Sequence, residues 1–238
     1  MKISELLKNK QFSKNYHKPI TIAFLGDSVT QGCFENYTAP PDYIGTVDEY
    51  KNAYSTRVRE ILNILYPSAQ VNIINSGIAG NRAEHGLERL ERDVLCYQPD
   101  LVVVSFGLND SVQGLEYLPT YKQALSDIFS AVTQSGAECV FLTQNSFNTK
   151  ISLQLTDRIL LELAEKFADN NDVLREYFTV AKSLCADFGV KVCDLHATWE
   201  RLTEIGVNTT ELLSNKLNHP IREWHYYIAM KLIETILL

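Results

Sequence analysis

The sequence is short of the features that mark several common protein classes. No apolar run approaches the roughly 20 residues that span a bilayer, so no membrane helix and no membrane partner are expected. Cysteine is sparse and scattered: Cys33, Cys96, Cys139, Cys185 and Cys193, five in 238 residues. Neither a C-x-x-C pair nor a Cys/His ligand spacing occurs, and the count is odd, so a disulfide framework and a metal site are both unexpected. Basic clusters are missing as well, and the net charge is −7, which argues against a nucleic-acid partner. No G-x-x-x-x-G-K-[ST] occurs, and no G-x-G-x-x-G follows the first apolar run, so the commonest nucleotide cradles are absent. The first residues, "MKISELLKNKQFSKNYHKPI", lack the apolar core of a signal peptide, and a cytoplasmic protein is the expectation. Internal repeats and low-complexity linkers are missing too. The chain therefore reads as one domain over residues 1–238, long enough to bury a core without staples.

What is present is a regular alternation. Five short apolar runs stand out: "ITIAFLG" (20–26), "VNIINSG" (71–77), "LVVVSFG" (101–107), "CVFLTQN" (139–145) and "VKVCDL" (190–195). Several are apolar at consecutive positions, as in strands covered on both faces. Helical periodicity fills the gaps. "STRVREILNILY" sets Val58, Ile61, Leu62 and Leu65 on one face, and "LPTYKQALSDIFSAVTQSG" stops at Gly136. "DVLREYFTVAKSLCADFG" opens at an Asp172 cap, and a last helix opens at Pro220 with a stripe through Ile221, Trp224, Ile228, Leu232 and Ile236. Strands alternating with helices predict an α/β fold with a parallel sheet and right-handed crossovers. Two stretches, near 34–54 and 147–171, are longer than connections require and are read as insertions, of the kind that often serve as lids or binding loops.

In such a sheet, ligands gather beyond the carboxyl ends of the strands, where the strand order reverses. Gly26-Asp27-Ser28 follows the first strand, "NSGIAGN" the second and "GLND" the third. With the order 2-1-3, Ser28, Gly80 and Asn109 converge on one crevice. A serine hydroxyl attacks an acyl carbon once a base takes its proton. The resulting oxyanion needs preorganised donors, which the N–H groups of Ser28 and Gly80 and the side-chain amide of Asn109 supply. Of His17, His85, His196, His219 and His225, the candidate base is His219, just before Pro220. The positive end of the following helix would disfavour imidazolium there. Each residue also has a plainer use: Ser28 as an N-cap, Gly80 in a tight turn, Asn109 and His219 as caps. Their conjunction favours a site. Cys33, close to Ser28, is read as a core or supporting residue.

These blocks, "GDS" at 26–28, "NSGIAGN" at 75–81, "GLND" at 107–110 and "NHP" at 218–220, resemble those of the SGNH hydrolases, also called GDSL-type esterases and lipases. The resemblance runs in order across nearly the whole chain. It implies a three-layer α/β/α, flavodoxin-like fold with a five-stranded parallel sheet in the order 2-1-3-4-5. It implies Ser28 as nucleophile, His219 as general base, and Gly80 and Asn109 in the oxyanion hole. Asp27 and Asp110 are expected to hold turns rather than to react.

One position departs from the family. Its usual aspartate three residues ahead of the histidine is Lys216 here, and no acidic residue lies between Glu211 and His219. Three substitutes are open: the Asn215 side-chain oxygen on the ring Nδ1–H, a backbone carbonyl on the same N–H, or a distant carboxylate such as Asp194. The first two are favoured. The expected function is hydrolysis of carboxylic esters without metal or organic cofactor. The favoured substrate is a small molecule or carbohydrate bearing short O-acetyl groups. The alternatives are a lysophospholipase or thioesterase-like acyl hydrolase, and a weakly active ligand-binding relative. Tyr37 and Tyr43, with Tyr50 and Tyr54 in the same insertion, are candidates to stack a sugar. Phe147 and Trp224 are candidates for an acyl pocket. No oligomeric state is assigned.

Overall fold

The computed structural model describes residues 2–13, 18–40 and 43–238; His17 lies outside them. In chain order the elements are α1 (Ile3–Phe12), β1 (Ile20–Gly26), α2 (Ser28–Gln31), β2 (Cys33–Ala39), β3 (Tyr43–Asp48), α3 (Tyr54–Leu65), β4 (Val71–Gly77), α4 (Ala83–Asp93), β5 (Leu101–Ser105), α5 (Leu108–Ser111), α6 (Leu118–Gln134), β6 (Glu138–Thr143), α7 (Arg158–Ala168), α8 (Asn171–Phe188), β7 (Lys191–Asp194), α9 (Leu195–Glu204) and α10 (Arg222–Leu237).

Five strands form one parallel sheet in the order β4-β1-β5-β6-β7. Counted among themselves in chain order, these five read 2-1-3-4-5; β2 and β3 stand apart as a separate antiparallel pair. Every residue of β1 and β5 is buried, as consecutive apolar residues demand of central strands. β4 and β7 are the edges and are only partly covered. Helices α1, α3 and α10 pack together, as do α4, α6 and α8, giving three layers. Gly26 and Gly77 end β1 and β4 side by side, so the loops carrying Ser28 and Gly80 leave the sheet together.

Helix starts differ from expectation in two places. Helix α8 begins at Asn171 after Asn170, not at an Asp172 cap. Helix α10 begins at Arg222, two residues beyond Pro220. Pro220 instead bridges Leu213, and the Ile221 N–H donates to the Leu212 carbonyl at 2.9 Å. That extended pairing keeps the chain out of helix until it is past. Of the expected stripe, Ile228, Leu232 and Ile236 are buried, Trp224 is half-buried, and Ile221 precedes the helix.

Both long insertions are structured. The first carries the β2–β3 hairpin, the second carries α7. Asp157 caps α7, accepting from the N–H groups of Ile159 and Leu160, and its other oxygen accepts from the Thr38 hydroxyl at 2.8 Å. A small second core of Leu160, Ala164 and Leu217, flanked by Ile44 and Leu155, joins both insertions to the loop before His219. Among the described residues, no helix is long and apolar enough to cross a membrane.

The close approach of β4 to α2 requires glycine at position 77. A Cβ there would lie 2.2 Å from the Gln31 nitrogen and 2.6 Å from the Thr30 carbonyl carbon, both backbone atoms. Gly77→Ala is therefore expected to lose about 1–3 kcal/mol of stability, the usual range for forcing an atom into packed space. Urea unfolding of the two proteins measures it, and an unchanged midpoint would refute the account.

Candidate active site

The turn after β1 sets the site. Asp27, not Ser28, is the N-cap of α2: its Oδ1 accepts from the Val29 N–H at 3.0 Å. That leaves Ser28 as the first helical residue. Its own N–H is one of the first-turn donors that an α-helix does not pair internally. Asp27 is fully buried and held from three sides. Gln144 Nε2 donates to both carboxylate oxygens (2.9 and 2.8 Å), and Asn109 Nδ2 donates to Oδ2 at 3.3 Å. Burial raises the Asp27 pKa to about 6, against the opposing pull of the Gln144 and Val29 hydrogen bonds.

Ser28 Oγ lies 3.0 Å from His219 Nε2, and both residues are buried. The other ring nitrogen, Nδ1, lies 2.9 Å from the backbone carbonyl of Phe34. A carbonyl only accepts, so Nδ1 carries the proton and Nε2 keeps a lone pair toward the Ser28 hydroxyl. Burial is the main cause that lowers the His219 pKa, to about 4; the Phe34 bond and the charges of Asp48 and Glu35 oppose it. The helix-dipole argument is secondary, since α10 starts three residues later. His225, behind the Phe34 ring at 5.0 Å, accepts the Tyr54 N–H on Nδ1 at 3.0 Å, and burial depresses its pKa to about 3.

Of the three candidate substitutes for the missing aspartate, the backbone carbonyl is the one on the ring. Asn215 is not a hydrogen-bond partner of the imidazole, whose two nitrogens face Phe34 and Ser28. Its Oδ1 accepts the backbone N–H groups of Leu217 (3.0 Å), Asn218 (3.0 Å) and His219 (2.9 Å), while Nδ2 donates to Asn36 and Asn218 oxygens. It holds the loop that delivers His219, because its short side chain reaches its own downstream backbone more readily than the ring. Asp194 is engaged elsewhere: it caps α9 through the Ala197 N–H, accepts from Thr143 and pairs with Lys182 at 3.0 Å.

The other two strand ends meet this pair. Asn81 N–H donates to the Ile78 carbonyl at 3.1 Å, closing a turn in which Gly80 has φ +74°. Positive φ at the third position of such a turn suits glycine. The Ala79 N–H donates to Gln31 Oε1 at 2.6 Å, tying the turn to α2. Asn109 donates to the Asn81 carbonyl at 3.0 Å and, more weakly, to Asp27. Asp110 is buried and accepts the Ala83 N–H at 2.9 Å, a structural use that opens α4.

Two contributors escape sequence reading. Arg89 of α4 is buried, and its guanidinium donates to the Ser76 carbonyl (2.7 Å), the Gly26 carbonyl (3.0 Å) and Asn81 Oδ1 (2.9 Å). It thereby ties together the ends of β4, β1 and the Gly80 turn. Gln144, one residue past β6, is buried between Asp27 and the Leu108 N–H. Neither carries a local signature, because most of their partners are backbone groups or residues more than 30 positions away.

The aromatic expectations divide. Tyr37 and Tyr43 are 49% and 60% exposed on the β2–β3 hairpin, with ring centroids 6.5 Å apart, and Tyr50 is exposed beside them in sequence. Tyr54 is buried and bonds Thr30, so it has no free face for a sugar. Phe147 is buried against Phe167, and Trp224 packs between Trp199 and Tyr227; neither forms an open acyl pocket. Cys33 is buried and donates to Asp48. Among the described residues, no group of three or more His, Cys, Asp and Glu gathers to hold a metal.

The parallel sheet in this order, flanked by helices on both faces, defines a three-layer α/β/α, flavodoxin-like architecture, and Ser28, after its second-position strand, meets His219, on the last loop, where the strand order reverses. Residues 24–225 match the GDSL-like Lipase/Acylhydrolase family, and the chain belongs to it. It is 33% identical over 89 residues to the acetylxylan esterase of Geobacillus stearothermophilus, covering 37% of this chain and 39% of that protein. Over 118 residues it is 28% identical to thioesterase 1/protease 1/lysophospholipase L1 of Escherichia coli K12, covering 50% and 48%. The chain thus aligns with less than half the length of these relatives. The crystal structure of the Geobacillus stearothermophilus acetylxylan esterase has the same fold, with a TM-score of 0.69 at 20% identity over 92% of this chain and 94% of that one.

Asn215→Ala would leave the buried N–H groups of Leu217, Asn218 and His219 without their acceptor. A loss of about 1–3 kcal/mol or more follows, since each unsatisfied buried donor carries its own desolvation cost. Urea unfolding reads the change, and a variant as stable as the parent would exclude this role for Asn215.

Proposed function

We propose that this chain is a serine esterase that hydrolyses carboxylic esters, with short O-acetyl groups on a carbohydrate or another small molecule as the favoured substrate. The observation that carries the reading is the 3.0 Å contact between Ser28 Oγ and a His219 ring whose tautomer is set by the Phe34 carbonyl. In this mechanism Nε2 takes the Ser28 proton as Oγ attacks the ester carbonyl. The N–H groups of Ser28 and Gly80 and the Asn109 amide receive the oxyanion. The weaker of Asn109's two bonds, at 3.3 Å to Asp27, is the one released for it. His219 then protonates the leaving alcohol, and water, activated by the same nitrogen, frees Ser28 and the acid.

The acetyl preference is supported by the likeness to an acetylxylan esterase. The exposed pair Tyr37 and Tyr43 offers flat faces of the kind that stack on sugar rings, and we assign it to the alcohol side of the substrate. The likeness to a thioesterase and lysophospholipase keeps longer acyl chains as the second reading. The inward packing of Phe147 and Trp224 weighs against it. Five unpaired cysteines fit a reducing compartment, which supports a cytoplasmic location.

Hydrolysis of p-nitrophenyl acetate tests the nucleophile. Ser28→Ala is expected to lose activity by at least about 10³-fold, as removal of a serine nucleophile does elsewhere. Equal rates in parent and variant would end the esterase reading. The pH profile tests the base. His219 works only when neutral, and burial holds its pKa down to about 4. The acid limb of kcat/KM should therefore fall near pH 4, well below the ordinary histidine range around 6.5. A half-point near 6.5 would contradict the buried, carbonyl-bonded base.

A further inference from the structure

The Phe34 carbonyl is an unexpected anchor for the histidine ring, because it lies at an irregularity of the local ladder. Pairing between β2 and β3 passes from Cys33↔Asp48 to Asn36↔Thr46, so Phe34 and Glu35 together oppose the single residue Val47. This is a β-bulge, where the bulged peptide leaves the ladder and its groups are free to turn. Something else must fix its orientation.

One side chain grips both flanks of that peptide. The Arg222 guanidinium lies over the Phe34 ring, 4.4 Å from its centroid. It also donates to both Glu35 carboxylate oxygens, at 2.6 and 2.9 Å. Two further bonds, at 3.1 and 2.6 Å, reach Glu49 just beyond the end of β3. Arg222 is three residues after His219, so the base and the clamp sit on one short segment. The Phe34 ring is closed from another side by His225 at 5.0 Å. A planar guanidinium that stacks on an aromatic face while binding a carboxylate by two parallel bonds fixes orientation in a way a lysine ammonium does not.

We propose that Arg222 is a positioning residue for the base: by holding Glu35 and the Phe34 ring at once, it locks the bulged Phe34–Glu35 peptide so that its carbonyl receives the His219 Nδ1–H. Arg222, with Glu35, thereby acts in place of the absent aspartate, through a carbonyl rather than by direct contact. The inference rests on the reading of His219 as the base. It predicts a defect in the chemical step rather than in substrate binding, because Arg222 reaches the ring only through the bulge.

The test compares the parent with Arg222→Met, Arg222→Lys and Glu35→Gln, each checked for folding by circular dichroism and thermal melting. Steady-state hydrolysis of p-nitrophenyl acetate separates kcat from KM, and 15N spectra of histidine-labelled protein report which His219 nitrogen carries the proton. For Arg222→Met, a fall in kcat on the order of 10²-fold is expected, the cost of a small misplacement at a reacting group. KM should stay within about twofold, and the Nδ1–H tautomer should give way to a mixture. Arg222→Lys should fall between this variant and the parent. If Arg222→Met does not fold, Glu35→Gln carries the test, since it keeps the side-chain shape while removing the paired charge. A folded variant with kcat within about threefold of the parent and an unchanged tautomer would overturn the proposal, as would a rise in KM at constant kcat. If the parent hydrolyses no ester but Arg222→Met still shifts the tautomer, the positioning role stands and the esterase reading falls.

Discussion

The hydrogen bond from His219 Nδ1 to the Phe34 carbonyl is the constraint on which the site depends. A neutral imidazole has one proton and one lone pair. Placing the proton on Nδ1 leaves the lone pair on Nε2, 3.0 Å from the Ser28 hydroxyl. The hairpin insertion, the loop held by Asn215 and the turn after β1 all meet at this ring. Each makes structural sense as a way to bring a carbonyl, a histidine and a serine from three parts of the chain into one line.

A carbonyl is not a carboxylate in this position. Both accept the Nδ1 proton, but only the carboxylate carries a full charge to stabilise imidazolium. With burial as the main influence, the ring is therefore held neutral, its pKa down to about 4. In the proposed mechanism this has two consequences. The base stays available at mildly acidic pH, and taking up the serine proton is harder than beside a buried aspartate. Stabilisation of the transition state then falls more heavily on the oxyanion donors, and on the more distant charges of Glu35 and Asp48.

A second, largely buried network supports the proposed donors. Asp27 caps α2 and accepts from Gln144 and Asn109, while Asn109 also binds the carbonyl of Asn81, whose side chain accepts from Arg89. Arg89 in turn binds the carbonyls of Gly26, the last residue of β1, and Ser76, the last but one of β4. Buried polar groups are costly unless paired, and nearly every one of these finds several partners. The result is a rigid floor spanning three strand ends, with Ser28, Gly80 and Asn109 set into it.

Much of this was legible in the residues themselves. Consecutive apolar residues marked the central strands, and helical periodicity marked the layers, because burial on two faces or one stripe leaves a direct imprint on the pattern. Ser28, Gly80 and Asn109 stood out because each follows a strand where such chemistry gathers, and His219 because it precedes Pro220 ahead of the last helix. The tertiary structure decided what faces the histidine ring. A backbone carbonyl has no residue type and leaves no trace in sequence, so Asn215, polar and four residues ahead of His219, was as reasonable a reading as an unspecified carbonyl. The same holds for Arg89, which binds the carbonyls of Ser76 and Gly26, and for Gln144 and Arg222, whose partners lie far off in the chain. Sequence alone determined which side chains could do chemistry here; folding determined which atoms hold them in place, because orientation is set by distant contacts that no local pattern encodes.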